Sequence, residues 1–164
     1  MDKEFLLRVE KTLKSIKRDL LYNENIRKLL YYESADLVEG VRVPEIELVK
    51  DNIFLQPITE IDNNPPFNKK MFISITCPTG GLIDDVTMDY AFKISVMVDK
   101  TDWVYGDNSV RVYSLCQEVI NTIDGKKYDL ANALDFEQVI EVVLDKTIQG
   151  KSLLFSNADG VGDM

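Results

Sequence analysis

The sequence predicts an α+β domain with a mostly antiparallel sheet of about four to five strands, packed by a helix in the C-terminal half and preceded by an N-terminal helical arm. Three observations predict it. Apolar residues recur every three to four positions near the start and near residue 115, they alternate in two middle segments, and turn formers separate these segments. A chain of 164 residues suits one domain better than two. We expect an arm with an extended connector at 1–50, a core domain at 51–157 and a mobile tail at 158–164.

Two amphipathic helices make up the predicted arm. Apolar residues at helical spacing, with Lys, Arg and Glu between them, predict the first helix over 2–21. The second helix is predicted over 25–32, and Asn23 or Asn25 can cap its start. Gly40 and Pro44 break any helix in the segment that follows, so 33–50 is predicted to be an extended connector.

Strand patterns dominate the middle of the chain. Residues 52–58 are strand-like, but Pro57 cannot donate to a ladder, which predicts a sheet edge or a strand end. Residues 62–68 are dense in turn formers and predict a loop. Residues 71–76 and 91–98 alternate between two faces and predict half-buried strands.

The connection between these two strands, 78–90, is far longer than the two to five residues of a tight hairpin, which predicts a protruding loop. Its apolar side chains would be costly to expose on a monomer, so we predict that they contact a neighbouring protein. These residues are Leu82, Ile83, Val86 and Met88. The carboxylates Asp84, Asp85 and Asp89 are predicted to form a solvated acidic loop. A metal site is the weaker alternative, because calcium loops place their ligands at alternating positions around a glycine.

The clearest predicted helix lies in the C-terminal half. Residues 107–109 supply N-cap chemistry, and Gly125 follows as the expected stop. Its predicted core-facing residues are Val112, Leu115, Cys116, Val119, Ile120 and Ile123. The segments 136–144 and 153–155 predict two antiparallel strands joined near 145–150, although the spacing of apolar residues in 135–144 also fits a helix.

Trp103 and Tyr105 lie between the second alternating strand and this helix. Aromatic residues on a loop are over-represented at protein interfaces, which makes both of them interface candidates. A Trp that closes one end of a core is an equally ordinary alternative.

Catalytic chemistry is poorly represented in the sequence. The chain contains no histidine, which removes the commonest general base and the commonest metal ligand. Cys77 and Cys116 are the two cysteines, and neither has a basic or ligating neighbour in sequence. The glycines at 80–81 and Gly150 do not complete a phosphate-binding loop. We expect no enzyme activity, no metal and no cofactor.

The net charge of −9 is unevenly distributed. Residues 1–30 carry eight Lys and Arg against five acids, whereas the remaining residues carry eleven against twenty-three. Such an acidic body disfavours tight binding of DNA. The apolar runs are too short for a membrane helix, and the charged start does not fit a secretory signal. We expect a soluble protein that is made in the cytoplasm and has no membrane partner.

The order of predicted elements over about 54–155 resembles the tail terminator, or tail completion, proteins of long-tailed bacteriophages. The segments that carry the resemblance are Met71-Phe72-Ile73-Ser74-Ile75, Phe92-Lys93-Ile94-Ser95-Val96-Met97-Val98 running into 107–123, and Ile148-Gln149-Gly150-Lys151-Ser152-Leu153-Leu154-Phe155. The arm at 1–50 is longer than that family usually carries, which leaves room for another position in the neck or tail.

The resemblance implies a virion protein that forms a hexameric ring at the head-proximal end of the tail. Such a ring ends tube growth and joins the tail to neck or connector proteins while DNA passes through without specific binding. The acidic loop Asp84, Asp85 and Asp89 would then line the lumen or face passing DNA. The alternatives are another head-tail connector or neck component, a monomeric adaptor, and a metal-dependent nuclease that uses Asp89, Lys93 and Glu141.

Overall fold

The computed structural model describes residues 5–57, 69–82, 88–128 and 133–157. In these residues the helices lie on one face of a mostly antiparallel sheet, which confirms the predicted α+β class. The described helices are α1 (Phe5–Tyr22), α2 (Glu24–Tyr31), α3 (Ile46–Val49) and α4 (Arg111–Ile123). Single 3₁₀ turns occupy Lys50–Asn52 and Lys100–Asp102.

The described strands are β1 (Ile53–Phe54), β2 (Met71–Leu82), β3 (Met88–Asp99), β4 (Val104–Tyr105), β5 (Ser109–Val110), β6 (Asp135–Val143) and β7 (Ile148–Ser156). Five of them form the main sheet in the order β1-β2-β3-β7-β6. The β1–β2 pair is parallel, and the other pairs are antiparallel. Strands β4 and β5 form a separate small hairpin before α4.

The main core lies between the helices and one face of the sheet. Ile16 and Leu20 of α1, Ile94 of β3 and Leu115 of α4 are fully buried in this cluster. Helix α1 packs on β1 and β2, and α4 packs on β3 and β7. The opposite sheet face carries a smaller cluster built from Phe54, Phe72, Met97 and Ile148. The helical layer therefore covers the sheet from β1 to β7.

Several predicted elements are confirmed. Helix α2 begins after Asn23, whose Oδ1 accepts a hydrogen bond from the Ile26 amide at 3.0 Å. Gly125 ends α4 with φ of 75°, a left-handed conformation that glycine adopts without strain. Residues 135–143 form a strand, not a helix, and the predicted apolar face of α4 is buried, with Ile120 half-buried.

Two local predictions are wrong. The connector at 33–50 is not extended throughout, since it contains α3, whose Val49 is buried in the core. Residues 107–109 do not cap α4. They belong to the β4–β5 hairpin, where Gly106 and Asn108 adopt φ of 55° and 63°, and the helix begins after Val110 without a side-chain cap. The turn chemistry of this segment closes a hairpin instead of starting a helix.

The predicted protruding loop at 78–90 is wrong for most of its length. Strands β2 and β3 continue through it, with Thr79 opposite Ala91 and Leu82 opposite Met88. A bulge between Thr76 and Thr79 accommodates Pro78, because a bulged residue need not donate to the ladder. The pairing therefore extends the hairpin to Leu82 and Met88. The predicted loop at 62–68, the tail at 158–164 and residues 83–87 lie outside the described residues.

Candidate assembly surface

Strand β6 forms one edge of the main sheet and is nine residues long. Its inner side pairs with β7, and no described residue pairs with its outer side. In an antiparallel pair every second residue directs its N–H and C=O groups away from the partner, so the outer side of β6 presents a row of hydrogen-bonding groups. A long edge of this kind is a template for pairing with another chain.

The side chains of β6 make this edge apolar. Val139 and Val143 lie on the helix-covered face of the sheet, because they pair with Leu153 and Gln149 in the register that buries Leu153. They are nevertheless 48% and 63% exposed, because α4 packs mainly on β3 and β7. Ile140 lies on the opposite face and is 45% exposed. Both faces of this strand therefore present apolar area to solvent.

Charged and aromatic groups border this apolar edge. Strand β6 contains Asp135, Glu137 and Glu141 and no basic residue. Glu141 lies opposite Lys151 of β7, whose Nζ is 5.7 Å from the centre of the exposed Tyr113 ring on α4. Glu137 is exposed near the start of β6, where its Oε1 accepts a hydrogen bond of 2.8 Å from Ser156 Oγ. We call the group Tyr113, Glu137, Val139, Ile140, Glu141 and Val143 the β6 edge surface.

Helix α1 presents a surface of opposite character at the other end of the sheet. It packs over β1 and β2, whereas β6 is the strand farthest from β1. Its sequence contains five Lys and Arg and two acids, and Lys11, Lys14 and Arg18 are exposed. Leu6 and Leu7 near its start are 74% and 55% exposed. The two ends of the domain thus combine apolar side chains with opposite charge.

The two aromatic interface candidates, Trp103 and Tyr105, pack partly against the main core. The Trp103 carbonyl accepts a hydrogen bond of 2.7 Å from the Arg111 amide. The Tyr105 hydroxyl and Ser114 Oγ are 2.8 Å apart, and the Arg111 guanidinium lies 5.3 Å from the centre of the Tyr105 ring. Tyr105 also lines an open groove, so part of its surface remains available to a partner.

The groove beside Tyr105 has a volume of about 990 Å³ and lies between α2 with the following segment on one side and the β4–β5 hairpin with α4 on the other. Leu29, Leu37 and Val38 supply apolar lining. Glu118 is held there by side-chain amides, since its carboxylate oxygens accept hydrogen bonds from Asn23 and Asn25 at 3.0 and 3.2 Å. These contacts fix α4 against α2.

Arg111 is a fully buried charged residue beneath this groove. Its Nε donates to the Asp102 carbonyl at 2.8 Å, and one terminal nitrogen donates to the Leu29 carbonyl. The other terminal nitrogen is 3.4 Å from Ser34 Oγ. Burial lowers the pKa of Arg111, and the nearby Asp102 carboxylate opposes this shift. The guanidinium therefore ties the end of α2 to the start of α4.

The residues considered for a nuclease do not converge in the described part of the chain. Lys93 lines the open face of the sheet with Ser95, whereas Glu141 lies on the helix side. Because these two side chains lie on opposite faces of the sheet, they cannot contribute to one metal site. Within the described residues, no three His, Cys, Asp or Glu side chains are grouped as metal ligands. No helix in that part of the chain is long and apolar enough to span a membrane.

Neither Cys77 nor Cys116 forms a disulfide in the structure. Cys116 is buried on α4, and burial raises the pKa of its thiol to about 12, with Lys151 opposing the shift. Burial also raises the pKa of Cys77. Thiolates are the reactive form, so neither environment activates a nucleophile.

The predicted interface residues of the 78–90 segment are only partly described. Leu82, Met88 and Asp89 belong to the extended β2–β3 hairpin, where Leu82 lies opposite Met88 and Gly81 opposite Asp89. Ile83, Asp84, Asp85 and Val86 lie outside the described residues. The interface and lumen roles of these residues stay predictions.

The profile of one protein family matches residues 23–157, which is most of the chain. The chain belongs to the YomW family. Proteins of the YomW family are phage-associated and of the SPbeta prophage type. The match begins where α1 ends and covers the sheet, α2 and α4. No curated protein and no solved structure shows significant similarity to this YomW-family chain.

The β6 edge surface is the candidate that the sequence patterns did not single out. Val139 and Ile140 are consecutive, as are Val142 and Val143, so 135–144 lacks the clean alternation of a half-buried strand. In an edge strand this pattern places apolar side chains on both faces. The sequence does show these consecutive apolar residues. The strand order is needed, however, to place β6 at the edge of the sheet, where both of its faces matter.

Proposed function

We propose that this protein is a non-enzymatic structural component of the phage particle. It forms a ring at the head-proximal end of the tail, ends growth of the tail tube and joins the tail to the neck while DNA passes through. The observation that carries the proposal is the pair of unlike surfaces at opposite ends of one sheet, in a chain of a phage-associated family. When one surface of each subunit binds a different surface of the next subunit, the same contact repeats and can close into a ring.

Two further features support this role. The sequence over 54–155 resembles tail terminators in the order of its elements. The strongly acidic body outside residues 1–30 also suits a ring through which DNA slides, because like charge keeps the duplex from adhering. We expect six subunits in the ring, with tail-tube and neck proteins as its partners.

The decisive experiment removes the gene from a phage that encodes this chain and examines the lysate by electron microscopy. We expect separate heads and tails, with tails longer than normal, because nothing ends polymerisation of the tube. The wild-type chain supplied from a plasmid should restore joined particles and normal tail length. Empty-vector cells provide the matched control.

Other outcomes distinguish the alternatives. Tails of normal length that fail to join heads would assign the protein to a connector or neck position instead. Complete and infectious particles in its absence would contradict a structural role. Metal-dependent cleavage of DNA by the purified chain, lost in Asp89→Ala, would favour the nuclease alternative.

A further inference from the structure

We propose that the β6 edge surface of one subunit binds helix α1 of the next copy of this chain in a head-to-tail arrangement. This inference rests on the proposed ring and specifies the two surfaces that build it. The occupant of the β6 edge surface is therefore a second copy of the chain.

Incomplete cover of the sheet is the first argument. Within one subunit α1 packs on β1 and β2, and α4 packs on β3 and β7, whereas on β6 the main core reaches Phe136 at the start of the strand and leaves the later residues on this face exposed. Val139 and Val143 consequently lie exposed on the helix side of β6. A helix placed there by the neighbouring subunit would complete the layer. Exposed apolar area at both places is the kind that an interface covers.

Charge complementarity is the second argument, and it selects α1 as the occupant. Strand β6 carries three acids and no basic residue. Helix α1 carries five basic residues and two acids, with Lys11 and Lys14 exposed. Leu6 and Leu7 supply apolar side chains at the start of the same helix. Each surface thus offers what the other lacks.

Geometry is the third argument. Helix α1 lies at the β1–β2 side of the sheet and β6 at the opposite edge, so a single subunit cannot bring the two surfaces together. Because the surfaces differ, their contact is heterologous and leaves one free copy of each at the ends of any open chain. When the ring closes, the free α1 at one end of the chain of subunits binds the free β6 edge surface at the other end.

The test uses charge reversals in the full-length chain, with assembly followed by native mass spectrometry and analytical ultracentrifugation over a range of protein concentrations. The double variants Lys11→Glu with Lys14→Glu, and Glu137→Lys with Glu141→Lys, should each raise the concentration needed for assembly by about tenfold or more, because like charges then face each other. The chain that carries all four substitutions should assemble again. Far-UV circular dichroism checks that each variant is folded.

Two control variants have the same net charge changes at exposed positions outside both surfaces. They are Arg42→Glu with Lys127→Glu, and Asp36→Lys with Glu39→Lys. Both should assemble like the wild type. If they weaken assembly as much as the test variants do, net charge explains the effect and the proposed contact is wrong.

Mixing the two double variants tests the head-to-tail arrangement itself. The wild-type β6 edge surface of the α1 variant can face the wild-type α1 of the β6 variant, and the reversed β6 edge surface of the β6 variant can face the reversed α1 of the α1 variant. Both contacts between unlike variants therefore join opposite charges, whereas contacts between like variants join like charges. At a concentration where neither variant assembles alone, the mixture should form rings in which the two variants alternate. A mixture that does not assemble, or full assembly of either variant alone, would overturn the proposal.

The interface and the tail function fail in different ways. A wild-type chain that stays monomeric at every concentration overturns self-association through these surfaces, whatever the phage phenotype. Wild-type rings that depend on α1 and β6, in a phage whose tails are normal without the gene, leave the interface standing and reject the tail function.

Discussion

Arg111 shows how one residue joins distant parts of this chain. Its guanidinium contacts the carbonyls of Leu29 and Asp102, while Ser34 donates its amide to the Asp102 carboxylate at 3.0 Å. The arm, the segment before the β4–β5 hairpin and α4 therefore meet at a single buried cation. The local sequence gives no signal for this role, because the partners are backbone carbonyls, and that of Leu29 lies 82 residues away along the chain.

We expect Arg111→Ala to lower the free energy of unfolding by about 3 kcal/mol or more, because it leaves two buried carbonyls without their charged donor. Chemical denaturation followed by circular dichroism measures the change. Arg42→Ala is the matched control, since the side chains of its 3.7 Å ion pair with Glu45 are 86% and 75% exposed, so it should change stability by less than about 1 kcal/mol. An Arg111→Ala protein as stable as this control would show that the buried network contributes little.

Gly150 is a second residue whose role depends on the tertiary structure. A Cβ at this position would lie 1.8 Å from the Val96 carbonyl oxygen on the neighbouring strand, so glycine permits the close approach of β3 and β7. In the sequence Gly150 resembled only the remnant of a phosphate-binding loop. Glycine inside an apolar run does indicate close backbone contact in general, but the contact partner cannot be read from local sequence.

The long helices and strands, in which one spacing of apolar residues repeats several times, could be predicted from the sequence. The regular spacing in α1 and α4 and the alternation in β2 and β3 identified the correct element types, because burial of one face repeats over several turns or residue pairs. The two-residue strands β4 and β5 and the four-residue α3 lack such repetition. The strand predicted at 71–76 continues in the structure to Leu82 past a bulge at Pro78, because a bulge that accommodates proline has no separate sequence signal.

The packing of α4 on the sheet leads to a prediction at the element scale. Leu115 is fully buried in the main core, so Leu115→Ala should lower the free energy of unfolding by about 2 to 5 kcal/mol through the cavity that it leaves. Gln117→Ala, on the exposed side of the same helix, should change it by no more than about 0.5 kcal/mol. Equal denaturation midpoints for the two variants would contradict the packing of α4 against β3 and β7.

The strand order determines which surfaces the whole molecule presents. The sequence identified two C-terminal antiparallel strands, but it left open where they sit in the sheet. Because β7 pairs with β3, β6 becomes the edge, and its distance from α1 follows from the same order. The interface predicted on 78–90 was argued from loop length, and the pairing of β2 with β3 removes most of that argument. Long-range pairing of this kind has no local signature.

Charge asymmetry across the whole molecule leads to the last prediction, the salt dependence of assembly. The basic α1 and the acidic β6 attract each other when they face across an interface, and the screening length falls from about 10 Å at 0.1 M salt to about 3 Å at 1 M salt. We therefore expect wild-type assembly, measured by sedimentation velocity, to weaken as NaCl rises. The variant with Lys11→Glu and Lys14→Glu should respond in the opposite direction, because salt then screens repulsion between like charges. The four-substitution chain restores opposite charges and should follow the wild type. Wild-type assembly that is unchanged or stronger in 1 M NaCl would mean that Leu6, Leu7 and the valines of β6 drive the contact without help from charge.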